Sequence, residues 1–154
     1  LTHEWLEKAI KWKLGEGDAP GKPTNEGVIN AVDAFREWVK ENDVKWISSE
    51  EKLYNRDHKY AGTVDAIAEI NGEYCVIDWK TSRAIYPEYY LQVAAYAKAV
   101  EEMKGCTVDA TYILRCDKTT GMFEAARSAD PELSENFKAF LAAKFLFHRM
   151  KELK

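Results

Sequence analysis

With 154 residues, 46% of them hydrophobic and 31% charged, the chain can bury one real core and reads as a single globular domain. A net charge of −4 argues against a surface coated in basic residues for nucleic acid, while leaving room for a local basic groove. No apolar run is long enough for a bilayer, and the three scattered Cys (Cys75, Cys106, Cys116) exclude a disulfide framework or a Cys-rich metal site, so an intracellular, cytoplasmic setting without membrane contact is expected.

The opening "LTHEWLEKAIKWKLGEG" is charged and amphipathic, unlike a signal peptide, and its start at Leu1 rather than Met suggests a piece of a longer chain. Trp5, Leu6, Ala9, Ile10 and Lys13 predict a first helix, ended by the Gly/Pro-rich "GEGDAPGKP". "TNEGVINAVDAFREWVKEN" predicts a second: Thr24 or Asn25 can cap it, Glu26 lies in its first turn, and Val28, Val32, Phe35, Trp38 and Val39 share a face. A short strand is expected around "KWISSEEKLYN". Strands at Gly62–Ile70 and Tyr74–Trp79 flank "NGE", where Asn-Gly signals a hairpin turn. Pro87 opens a long helix to about Met103, with Leu91, Val93, Ala94, Tyr96, Ala97 and Val100 as candidate core residues and Gly105 as its stop. "TVDATYILRC" and "GMFEAARS" read as strands around "DKTTG". A last helix, from about Pro131, carries Phe137, Phe140, Leu141, Phe145 and Phe147. The order α-α-β-β-β-α-β-β-α predicts an α/β domain with a mixed central sheet flanked by helices.

Charged groups in a core hairpin call for a partner or a job. Alternation puts Asp78 and Lys80 on one face of their strand, and pairing through Asn71–Gly72 brings Asp65 near Asp78. Two carboxylates persist together if one is protonated or a cation lies between them. A hard divalent cation such as Mg²⁺ or Mn²⁺ suits oxygen ligands, and a nearby ammonium can orient a water or neutralise an anionic transition state. The set suits metal-assisted phosphodiester hydrolysis. The plain alternative is an edge ion-pair network without function.

"GTVD", then "IDWKTS", then "LQVAAY" resembles the PD-(D/E)XK nuclease superfamily. The narrower resemblance is to its RecB-like and CRISPR-adaptation exonuclease branch and to the mitochondrial genome-maintenance exonucleases. The resemblance implies a restriction-endonuclease-like core and a DNA nuclease, most simply an exonuclease of recombination, repair or phage DNA processing. Asp65 and Asp78 match the metal-binding carboxylates and Lys80 the catalytic lysine. Trp79 would lend its backbone carbonyl to the metal. Gln92 and Tyr96, one helical turn apart, would support Lys80 or contact DNA, with Thr81 and Ser82 beside them as substrate-binding candidates. The first acidic motif falls on Glu50, with Glu51 as the neighbouring option and Glu26 as a third.

Departures from the family pattern are also visible. Relatives carry a metal-binding His in an early helix; "NEGVINAV" offers Asn30 at most, and His3, His58 and His148 read as surface residues. An iron–sulfur cluster needs four Cys and is not expected. Helicase motifs are absent, so a helicase or recombinase would be a separate partner. Phosphate contacts are expected from Lys8, Lys11, Lys13, Lys59, Arg83 and the group Lys144, His148, Arg149 and Lys151. Tyr86, Tyr89 and Tyr90 could stack on bases. Two other readings compete: an inactive nucleic-acid-binding or assembly module of the same fold, and an enzyme using Lys80 for a Schiff base.

Overall fold

A computed structural model describes residues 2–154. Four helices and five strands follow the expected order: α1 (Thr2–Lys13), α2 (Glu26–Glu41), β1 (Val44–Asn55), β2 (Tyr60–Ile70), β3 (Glu73–Lys80), α3 (Pro87–Lys104), β4 (Ala110–Cys116), β5 (Phe123–Ala129) and α4 (Glu132–Glu152). The strands form one sheet in the order β1-β2-β3-β4-β5. Neighbours are antiparallel except β3 and β4, which run parallel because α3 carries the chain back between them.

Local chemistry explains most of the element ends. Asn25 caps α2 by accepting a hydrogen bond from the Val28 amide on its side-chain oxygen. Asn71 and Gly72 both take positive φ, 51° and 84°, as a two-residue turn between right-twisted strands requires. Pro87 opens α3, and Gly105 closes it in the left-handed region.

The sheet is covered on both faces. On one, Leu6 and Ile10 of α1 and Phe35 and Trp38 of α2 pack on Ala66, Ala68, Ile77 and Trp79. The ring of Trp79 meets Phe35 edge-on at 5.3 Å, which anchors the end of β3 in this layer. On the other face, Val93, Ala97 and Val100 of α3 and Leu133 of α4 pack on Ile67, Val76 and Ile113.

Three expectations change. The short first strand is a twelve-residue strand with a bulge between Trp46 and Ser48. Leu91 and Tyr96 are only partly buried, and Ala95 and Ala99 take core places instead. Phe145 and Phe147 are 72% and 58% exposed, and among the described residues of α4 only Leu133 is buried. The helix therefore seats its first turns and projects the rest.

Candidate active site

The site lies where the sheet splits. The β2–β3 ladder runs from Ile70↔Glu73 to Ala66↔Ile77 and stops. Beyond it β2 stays with β1, and β3 stays with β4 as far as Lys80↔Arg115. In the crotch of this fork, Asp65 Oδ2 accepts the Trp79 amide at 2.8 Å, a side chain taking over where the backbone ladder ends. Asp65 and Asp78 thus face each other from separate branches.

Side by side their charges repel, and a proton on Asp65 and the ammonium of Lys80 offset that repulsion. Burial pushes the Asp65 carboxyl up to about 8; a hydrogen bond to Asp78 and that group's charge add to the rise, and the Trp79 amide and Lys80 oppose it. Asp78 is 4% exposed. Its Oδ2 lies 3.0 Å from Lys80 Nζ in an ion pair, and the carboxylate also shares a proton with Asp65.

Lys80 is held from the α3 side. Its Nζ donates to Gln92 Oε1 at 3.0 Å and sits 4.4 Å from the centre of the Tyr89 ring. Gln92 Nε2 in turn donates to Tyr96 Oη at 2.9 Å. The two polar residues of "LQVAAY" therefore form a relay that positions the ammonium. Gly62 completes it: a Cβ there would lie 2.7 Å from Tyr96 Cε1, so the ring lies directly over this glycine.

From the α1 side, His3, Glu4 and Glu7 line a cavity of about 280 Å³ together with Glu50, Thr63, Asp65 and Trp79. Glu50 has φ 49°, a strained value for a non-glycine residue inside a strand. Its carboxyl faces Glu7, which raises its pKa by hydrogen bonding and repulsion, while Lys11 opposes from 3.7 Å. Glu51 points elsewhere, pairing with Lys104 at 2.9 Å and accepting from Ser48 Oγ at 2.7 Å.

His3 is exposed, as expected, yet takes a place that the sequence did not assign it. It borders the cavity as well as a smaller one beside Lys80 and Thr81. The ring keeps solvent access at the rim, yet desolvation lowers its pKa and outweighs the opposing Asp78 charge, which favours neutral imidazole. His3 and Glu7, four residues apart, share a face of α1, and no motif in the sequence marks it.

Other candidates are placed less centrally. Ser82 Oγ donates to Ala84 O within its own loop, and its carbonyl accepts from buried Arg115 at 2.9 Å. Arg115, held also by Glu124, braces the loop after Lys80 and gave no sequence signal. Glu26 and Asn30 are exposed on α2 and do not line the cavity. His58 is exposed and packs edge-on against Phe137. Lys11 is engaged by Glu7 at 2.7 Å, and Arg149 by Glu152 at 3.0 Å.

The donors at the fork suit a hard divalent cation: two converging carboxyl groups offer hard oxygens, and an ion would take the place of the proton they share. Among the described residues no three His, Cys, Asp or Glu side chains converge closely enough to cage an ion alone.

The chain is similar to mitochondrial genome maintenance exonuclease 1 of Mus musculus, 48% identical over 48 residues, covering 27% of this chain and 14% of that protein. To the Xenopus tropicalis protein of the same name it is 39% identical over 59 residues, covering 34% and 17%. The matches thus span less than a fifth of those relatives' length. In fold it resembles a crystal structure from Eubacterium rectale, provisionally classed as an exonuclease, with a TM-score of 0.63 over 98% of this chain and 66% of that one, at 12% identity. A profile of the PD-(D/E)XK nuclease superfamily matches residues 1–152, and to that superfamily the chain belongs.

Proposed function

We propose that this domain is a metal-dependent deoxyribonuclease, an exonuclease that hydrolyses phosphodiester bonds in DNA. The observation that carries the reading is the convergence of Asp65 and Asp78 beside Lys80 where the sheet forks. Asp65, Asp78 and the Trp79 carbonyl, with Glu50 and His3 at the α1 side, would hold Mg²⁺ or Mn²⁺. Such an ion, when bound, acidifies a water and offsets charge on phosphate oxygens. Lys80 has three N–H donors and gives one to Gln92, which leaves others for a water or a phosphate oxygen. Gln92, Tyr96 and the Tyr89 ring hold that ammonium in place, so its orientation does not depend on substrate. Recombination or repair as the setting rests on the resemblance to genome-maintenance exonucleases.

The test is cleavage of labelled linear, circular and single-stranded DNA in Mg²⁺, Mn²⁺ and EDTA. Linear DNA should disappear, circles should survive, and EDTA should stop the reaction. Asp78→Asn and Lys80→Ala, shown to be folded, should each lose roughly 100-fold or more in rate. An Asp78→Asn protein as active as the parent would defeat the reading, and cut circles would make it an endonuclease.

A further inference from the structure

On the far side of α1 from the cavity lies a groove of about 730 Å³, bounded by α1, α2 and the loop between them. Trp5, Ile10, Val32, Val39 and Trp46 are among its apolar lining. Four cations border it: Lys13, Lys22, Arg36 and Lys40. All four are exposed, and none has an ion-pair partner among the described residues. The groove's one acidic residue is Asp33. In a chain of net charge −4, this is a local reversal of sign around an apolar cleft. Arg36 and Lys13 lie over the Trp5 and Trp12 rings at 5.4 Å and 5.2 Å, so aromatic groups hold these cations at the rim.

We propose that this groove docks an acidic peptide segment of a partner protein, its bulky apolar side chains in the cleft and its carboxylates on the four rim cations. A nucleic-acid strand fits less well. It would need open rings for its bases to stack on, whereas the four rings of the lining are engaged: Arg36 and Lys13 lie over Trp5 and Trp12, and Phe35 and Trp46 pack on each other and on Trp79. The groove and the sheet fork lie on opposite faces of α1, so docking would leave the cavity free.

The probe is a short fluorescein-labelled peptide of Asp residues interrupted by Phe, titrated with the full chain in EDTA and followed by anisotropy. It should bind in a salt-sensitive manner, and a Lys-for-Asp version of the peptide should not. Lys22→Glu combined with Lys40→Glu should weaken binding roughly tenfold or more, because both sites are exposed rim charges. Cleavage of naked oligonucleotides by that variant should be unchanged, which separates this site from the fork. Failure of the peptide to bind, or binding indifferent to the charge reversals, overturns the proposal. So does displacement of the peptide from the groove by a single-stranded oligonucleotide. Self-association in sedimentation that the reversals abolish would instead make a second copy the occupant, and likewise overturns it.

Discussion

A Cβ at Gly62 would collide with the ring that ends the Lys80 relay, 2.7 Å from Tyr96 Cε1. Gly62→Ala must therefore push Tyr96 aside or shift β2, and overpacking of this kind costs about 1–3 kcal/mol. The expected outcome is a modest drop in thermal midpoint with roughly tenfold slower cleavage, as Gln92 loses its 2.9 Å contact to Tyr96 Oη. Adding Tyr96→Ala should relieve the stability loss without restoring rate. Additive effects on stability in that double-mutant cycle would show that the two residues do not meet. The glycine of "GTVD" was visible in the sequence, but its reason was not, because its steric partner lies on α3. Asp65, Asp78 and Lys80 were legible because strand alternation and a two-residue turn fix their relative places. Choosing Glu50 over Glu51 needed more: at φ 49° Glu50 departs from the regular alternation that sequence reading assumes.

At the scale of elements, α1 carries out two tasks on two faces. Leu6 and Ile10 seat it in the core, while His3 and Glu7 reach the cavity. Ile10 is 1% exposed, so Ile10→Ala should cost about 2–5 kcal/mol and also reduce turnover, because the helix that places His3 loosens. Asn25→Ala removes only the cap of α2 and should cost about 1 kcal/mol with cleavage unchanged. Urea melts and initial rates on the same samples check both. The nine elements of the described residues were readable from periodicity and turn residues. The fork was not, since it depends on which strands stop pairing, and the solvent-facing end of α4 was not, since aromatic content alone does not say which turns are seated. The place of His3 was not legible either, since it sits in the first turn of α1 and outside the run in which the family pattern puts its His.

For the molecule as a whole, the Asp65 carboxyl ties stability to pH. Its pKa rises from an ordinary 3.8 to about 8 on folding, so between those values the native state holds a proton that the unfolded chain has released. In EDTA, stability should fall as pH rises through that window, and Asp65→Asn should flatten the slope. Mn²⁺ should raise the thermal midpoint most at the alkaline end, by binding the native state alone, and should do so much less in Asp78→Asn. Scans across pH with and without Mn²⁺ measure this directly, and a flat wild-type profile in EDTA would contradict the assignment. The split sheet has a mechanical corollary. It is a pair of leaves, β1 with β2 and β3 with β4 and β5, hinged along five residue pairs from Ile70↔Glu73 to Ala66↔Ile77. Each leaf bears one of the two carboxylates, so their separation is an opening angle that belongs to neither leaf alone. Buried spine residues such as Ala66 and Ile77 can then tune the chemistry without touching it.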